Sequence, residues 1–567
     1  MVNYYGGINL DLLARLPLAA NSVLEIGCGE GNLGRAFKAR NPAAFYMGVE
    51  LFEGAANQAR NHLDRVIVGD IEQDQVVAAL DATLEGRRVD VLVFGNVLEH
   101  LRDPWAMLAL LRERTVPGGV CVACIPNVAH WSLLVGQLKG QWDYADYGLL
   151  DRTHLRFFTA ESAQAMFRQA GWSVADTAPR VIEAQETKVA IKAFAPMEAA
   201  FGIDHADLVR NLSAFQWVIR AVNGPVPETL HLSAMTLSKQ GGLTEVRIEE
   251  PLAALATQPA VTARWATEGM SLPPGKPGVA IFQRNFLNHP PLWEGANRIS
   301  GRGWALVSEM DDDPNHWTQF AENDYRAFRG VHAVTVSTEP LAEVIRAWNP
   351  NVAVFPNAIA SLTETSPTTP KFGDRLRIFF GAINRRNDWE PLKTALMPML
   401  ELLSDRIEMV VVHDQAFFDA LPPSVPRTFQ ELLPYDAYKT LLASCDIALL
   451  PLADTPFNRL KSDLKLIECC AAGVVPVCSP IVYAEDPRNV EVAVIADGVQ
   501  PFVEALAELC ADIPRLIELR AKGLAYVSRQ RMHAQQVAAR LAFYRGLLDN
   551  HGALEAQRQA RLAEPRA

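Results

Sequence analysis

In Val23-Leu24-Glu25-Ile26-Gly27-Cys28-Gly29-Glu30-Gly31 an apolar run breaks into three glycines at alternate positions, after which Leu33, Ala36 and Phe37 recur at helical spacing. Such a strand, turn and helix lets the backbone close on a ligand that side chains would keep away. The run Phe45 to Val49 ends in Glu50-Leu51, where a carboxylate can accept both hydroxyls of a ribose. Val66 to Val68 ends in Gly69-Asp70-Ile71, an acid and an apolar residue suited to bonding and sandwiching an adenine. Val89 to Phe94 ends in Gly95-Asn96-Val97-Leu98-Glu99-His100-Leu101, and a fifth strand follows Pro117-Gly118-Gly119. Strand ends arranged in this order describe a nucleoside-binding crevice.

Two histidines stand near that crevice. His100 lies just past the fourth strand, and His154 sits in Asp151-Arg152-Thr153-His154-Leu155-Arg156-Phe157-Phe158-Thr159. Each reads either as a general base toward an acceptor or as a structural anchor. An alcohol acceptor needs such a base; a carboxylate acceptor does not.

A second constellation lies far along the chain. Around Ser462, Lys461, Lys465 and Glu468 recur at i, i+4 and i+7, a spacing that would put them on one face of a helix capped by Ser462 and ended at Gly473. Seven residues span about 10 Å of helix, the reach from a diphosphate to a ribose. Phe380-Gly381-Ala382-Ile383-Asn384-Arg385-Arg386-Asn387-Asp388-Trp389 adds two guanidinium groups beside a strand-ending glycine. Guanidinium engages phosphate bidentately.

The first set of motifs, in order over about the first 195 residues, resembles the class I S-adenosylmethionine-dependent methyltransferases. Glu50 alone does not separate NAD from S-adenosylmethionine, but the spacing of Gly27, Gly29 and Gly31 differs from the dinucleotide fingerprint. The resemblance implies a Rossmann-like domain that binds S-adenosylmethionine through Glu25, Gly27, Cys28, Gly29, Gly31, Glu50, Leu51, Asp70, Ile71, Asn96 and Val97. The block around His154 also resembles methyltransferases acting on sugars and other small polar acceptors.

The second set, over roughly Glu228 to Leu547, resembles GT-B glycosyltransferases, in particular retaining enzymes of glycosyltransferase family 4. The resemblance implies two Rossmann-like domains around a cleft and a nucleotide-sugar donor held by Gly381, Arg385, Arg386, Ser462, Lys465 and Glu468. Arg385 or Arg386, with Lys465 and the helix start, would stabilise the departing diphosphate, and Glu468 would bind the ribose. Where the family has a lysine shortly after the arginine this chain has Asn387-Asp388, and Leu460 replaces an acid eight residues before Glu468. Gly241 and Gly242, followed by a helix, and Asp311 are expected on the acceptor side. Asp311-Asp312-Asp313 invites comparison with the metal-binding acids of GT-A enzymes, but the GT-B pattern around it implies that no metal is needed.

The elements must therefore come from more than one domain. With 567 residues, 49% hydrophobic and 21% charged, the chain has the composition of several globular α/β domains. The expected division is 1–195 for the methyltransferase domain, 196–227 for a helical linker that includes Ala206 to Val222, 228–365 and 366–547 for the two GT-B halves, and 548–567 for a polar tail. Lys188 to Ala193 is expected as a strand. A net charge of −12 argues against a nucleic-acid surface. The absence of a 20-residue apolar run or signal-like start, with eight unpatterned cysteines, points to a cytoplasmic protein. A glycan or glycolipid acceptor would allow peripheral membrane association. Cys121 and Cys124 fall on opposite faces of a strand and are read as structural. Two rival readings of the first domain are an NAD-dependent sugar oxidoreductase and a silent cofactor-binding module.

Overall fold

The computed structural model describes residues 7–182, 184–236, 242–363, 375–383 and 385–563, and the chain divides into two compact units. The first holds the strands β1 (Ser22–Ile26), β2 (Phe45–Glu50), β3 (Arg65–Val68), β4 (Val89–Gly95), β5 (Thr115–Pro126), β6 (Ser173–Val181) and β7 (Ala214–Val222). They form one sheet of order β3-β2-β1-β4-β5-β7-β6. The strands β1 to β5 are parallel, and β7 runs antiparallel to both β5 and β6. Chain order reverses between β1 and β4, and a crevice opens at the carboxyl ends of strands on either side of such a reversal. Cys121 and Cys124 are both buried in β5 and point into different core clusters, as alternation requires.

Two expectations here need correction. Residues 206–222 are not one helix in a linker: the helix His205–Ser213 stops and Ala214–Val222 enters the sheet. Its register, Pro126↔Gln216 to Val120↔Val222, makes it a central strand, so the segment belongs to the first unit. Lys188 to Ala193 lies within the helix Gln185–Phe194, because Thr187 and Ala190 recur at helical spacing on its buried side.

The second unit holds β8 (Leu230–Met235), β9 (Val261–Ala266), β10 (Val279–Gln283), β11 (Ala305–Met310), β12 (Ala333–Val336) and β13 (Val352–Val354), in the order β13-β12-β11-β10-β8-β9. It continues with β14 (Leu376–Gly381), β15 (Ile407–Val412), β16 (Arg427–Gln430), β17 (Ile447–Leu450), β18 (Val475–Cys478) and β19 (Val494–Ile495), in the order β16-β15-β14-β17-β18-β19. Two Rossmann-like sheets in tandem are the GT-B architecture. The expected polar tail is a further helix, His551–Ala563, packed on the first half of this unit. Arg558 is 1% exposed, pairs with Glu555 and donates to Asn297, so its charge is satisfied while its stem packs.

Candidate active sites

At the end of β1 the backbone enters the left-handed region at Gly27, where a Cβ would run into Val97. Gly31, also left-handed, opens the helix Asn32–Arg40 with its backbone against Ala59. The turn is tied to the second strand: Gly27 N donates to Val49 O at 2.8 Å and Gly29 N to Glu50 Oε2 at 2.8 Å. Phe52 N holds the other Glu50 oxygen at 3.0 Å, so that carboxylate has a fixed direction. Leu51 beside it is 56% exposed, an apolar surface open to a ligand, whereas Ile71 is buried. Asp70 is half-buried and fixed by Glu72 N at 3.0 Å.

Glu25 is as enclosed as Glu50, which is 5% exposed, but it is held by Tyr46 and not by the backbone of the turn. It is 4% exposed, accepts from Tyr46 Oη at 2.9 Å, and burial pushes its carboxyl up to about 8. Cys28 is buried too, and burial raises its thiol. Both support the turn from behind.

Asn96 takes a left-handed conformation at the end of β4. Its Oδ1 accepts from Gln216 Nε2 at 2.8 Å, which leaves its amide donors free to face outward. Gln216 in turn accepts from Arg180. Neither Gln216 nor Arg180 was identifiable without recognising β7, which brings Gln216 to this end of the sheet.

His100 and His154 do converge, with ring centroids 4.8 Å apart. His100 Nδ1 lies 3.2 Å from Thr153 O and His154 Nδ1 lies 3.2 Å from Leu149 O. A carbonyl only accepts, so both imidazoles carry their proton on Nδ1 and present a bare Nε2. Burial lowers the pKa of each, and for His154 the neighbouring His100 lowers it further. Glu99, absent from the sequence-based set, stands beside them at 1% exposure. Neither of its carboxylate oxygens has a hydrogen-bond partner, and burial raises its carboxyl to about 8. Among the described residues, Glu99, His100 and His154 are the group whose donor atoms lie close enough to share a metal ion, all within 4.8 Å of one another.

The second unit contains a cavity of about 720 Å³ lined by both of its halves. Of the residues expected at the donor site, Gly381, Arg385 and Lys465 are on its walls, with Arg284, Asp312, Trp317, Asp388, Asn458 and Lys461. Arg385 is aimed by Asp388 at 3.0 Å and Asn458 at 3.3 Å. Asp388 also accepts from Ala453 N and Asn458 Nδ2, both at 2.9 Å, which ties the loop after β14 to the loop after β17. Lys461 Nζ lies 3.6 Å from Asp312 and over the Phe457 ring; burial and the charge of Arg385 lower its pKa. Arg284, at left-handed φ, pairs with Asp311 at 2.6 Å and reaches Asp312 at 3.5 Å. Arg284 and Lys461 thus share Asp312, while Arg385 is held on the same cavity wall by Asp388.

Several expected residues lie elsewhere. Arg386 points to solvent and pairs with Glu390 at 2.9 Å. Ser462 does not cap the helix Leu464–Ala471, whose cap position is Asp463; its Oγ accepts from Asn357 at 2.7 Å. Lys461 precedes that helix, so only Lys465 and Glu468 share its face, 3.1 Å apart. Asp311 is spent on Arg284, and of these two neighbours it is Asp312 that lines the cavity. Gly242 is left-handed and lies under Tyr435, while Gly241 is outside the described residues.

Residues 4–177 match the family model described as a methyltransferase domain. The chain is 30% identical over 181 residues to the ubiquinone biosynthesis O-methyltransferase of Neisseria meningitidis serogroup A, a match covering 30% of this chain and 71% of that one. Among solved structures, it is similar to Anabaena Alr3699/HepE in complex with UDP and glucose, at 12% identity and a TM-score of 0.39, covering 56% of this chain and 100% of that one. It is also similar to S. aureus TarM in complex with fondaparinux, alpha-GlcNAc-glycerol and UDP, at 8% identity and a TM-score of 0.36, covering 47% of this chain and 55% of that one.

Proposed function

The chain belongs, through residues 4–177, to the methyltransferase-domain family, and from that premise we propose that it is a bifunctional enzyme which methylates one acceptor and glycosylates another on the same glycan. The first unit depends on S-adenosylmethionine. Gly27 to Gly31, Glu50, Leu51, Asp70 and Ile71 hold the nucleoside, and Asn96 and Val97 border the transferred methyl group. Transfer proceeds by in-line attack on the sulfonium carbon, with positioning as the main source of rate. The observation that carries the acceptor side is the pair of bare Nε2 atoms. A hydroxyl acceptor would lose its proton to His100 or His154, both neutral at pH 7 because burial lowers their pKa.

A second reading of this triad is favoured by the unpartnered Glu99 carboxylate. With two neutral imidazoles it makes a donor set for a divalent cation, which would lower the acceptor hydroxyl's own pKa. Chelation separates the readings: full methyl transfer after EDTA treatment supports the base, and loss restored by added metal supports the cation.

The second unit would transfer a sugar from a nucleotide-sugar, and the support is the convergence of Arg284, Arg385 and Lys461 on one cavity. Cations aimed into one cavity by the carboxylates beside them suit a diphosphate leaving group. The acceptor would be a glycan or glycolipid of a bacterial surface, met by a cytoplasmic protein that touches membranes only peripherally; retention of configuration follows from the family resemblance. A screen of nucleotide-sugars for hydrolysis, repeated with Arg385→Ala, tests the reading. No response to any donor would remove it.

A further inference from the structure

The carboxylate of Glu468 already holds two hydroxyls. Tyr435 Oη lies 2.8 Å from Oε1, Tyr438 Oη lies 3.4 Å from Oε2, and Lys465 Nζ lies 3.1 Å from that same Oε2. Both tyrosines come from one helix, Tyr435–Ala443, at i and i+3, with their rings 11° from parallel. Two hydroxyls on the two oxygens of one carboxylate reproduce what a vicinal diol would do there. Glu468 is accordingly 4% exposed and is not among the walls of the cavity, whereas Tyr435, Tyr438 and Lys465 are.

Tyr435 is also wedged from the other side. Gly242 stands in the left-handed region, and a Cβ there would come within 2.5 Å of the Tyr435 ring. Lys439 Nζ lies over the same ring, 4.5 Å from its centroid. The ring therefore fills the space between the Gly242 turn and the carboxylate. Burial works against the charge on Lys465, but Glu468 and Tyr438 outweigh it and raise its pKa, so the ammonium stays beside Oε2.

Resting on the reading of this unit as a nucleotide-sugar glycosyltransferase, we propose that Tyr435 is a specificity-determining residue that occupies the ribose seat on Glu468 and yields it only to a donor bringing a complete 2′,3′-diol. A ribose diol takes the Oε1 position that Tyr435 gives up and adds a bond on Oε2, where the Tyr438 contact is long at 3.4 Å and the oxygen has lone pairs to spare. A 2′-deoxyribose returns one, and gains nothing by the exchange. The donor class is thereby narrowed to ribonucleoside diphosphate sugars.

Calorimetric titration of the full chain with UDP, GDP and their 2′-deoxy counterparts tests this in wild type, Tyr435→Phe and Glu468→Gln. The phenylalanine keeps the ring over Gly242 and removes only the competing hydroxyl. Wild type should prefer the ribo form. Tyr435→Phe should bind it roughly threefold to tenfold more tightly, and Glu468→Gln should bind ribo and deoxy forms alike. Unchanged or weaker binding by Tyr435→Phe, with Glu468→Gln behaving as expected, overturns the role of Tyr435 alone. A preference for ribose that survives in Glu468→Gln overturns the seat itself. If no nucleoside diphosphate binds wild type, the glycosyltransferase reading falls and this inference with it.

Discussion

Glu25 illustrates how burial can reverse the role that residue type suggests. An acid two residues before a glycine turn reads as a ligand contact, yet its carboxyl is enclosed with Tyr46 and pushed up to about 8. The folded state then keeps a proton that the unfolded chain releases near pH 4.3. The stabilisation is complete below that value and disappears as the pH rises toward 8. Glu25→Gln should flatten the dependence of Tm on pH between about 5 and 8, as followed by circular dichroism; a slope unchanged from wild type would mean that Glu25 is ionised in the fold. Glu99, raised for the same reason, adds to the slope in the same direction. The histidine pair moves in the other direction. Since burial lowers both, the acidic limb of the methyl-transfer rate should fall below the usual histidine value of about 6.5. His154→Ala should reduce kcat about a hundredfold or more while leaving S-adenosylhomocysteine affinity unchanged. Equal loss of both would assign His154 to structure.

At the scale of elements, what could be read from sequence was whatever a short local pattern announces. The strands ending at Ile26, Glu50 and Gly95 and the turn between Gly27 and Gly31 follow from apolar runs broken by glycine, and the structure places them side by side. A prediction belongs to that turn: Gly27→Ala adds a Cβ at left-handed φ against Val97, and should weaken S-adenosylhomocysteine binding by more than tenfold in a titration. The strand Ala214–Val222 was hidden because Ser213 passes straight from helix to strand without a glycine or proline to mark the change. With it went Gln216 and the hold on Asn96. Lys461 was misplaced for a related reason, since i, i+4 spacing describes a helical face only where a helix exists, and this one starts at Leu464. Freed from the helix, Lys461 reaches Asp312 and the neighbourhood of Arg385. Lys461→Ala should cost about 2 kcal/mol of nucleoside diphosphate affinity, near thirtyfold, whereas Arg386→Ala, which removes a solvent-exposed pair with Glu390, should cost almost none.

For the whole molecule, the two proposed ligand sites, one on each compact unit, lead to a thermodynamic expectation that each site alone would not. A ligand stabilises the unit that binds it by RT ln(1 + [L]/Kd), about 2.7 kcal/mol at a hundredfold excess over Kd. In a unit of some 230 residues, such as the first, that corresponds to a rise of roughly 5–10 °C. S-adenosylhomocysteine should therefore lift one calorimetric transition, and a nucleoside diphosphate should lift another, the two shifts adding when both ligands are present. NADH should lift neither, which separates methyl transfer from the oxidoreductase reading of the same crevice. One transition that responds to both ligands in equal measure would instead mean that the units melt together, and the sites could then be assigned only through their variants: Gly27→Ala should shrink the first response to about half or less and Lys461→Ala the second to about a third. Ligand binding establishes neither turnover nor a shared acceptor, so the expectation extends to products. Given a saccharide or glycolipid acceptor, a nucleotide-sugar and S-adenosylmethionine together, wild type should yield a product carrying both additions by mass spectrometry. His154→Ala should stop at the glycosylated species, and Arg385→Ala should lose the glycosyl addition. Methyl label appearing on no saccharide made by the second unit would detach the two activities from a common substrate.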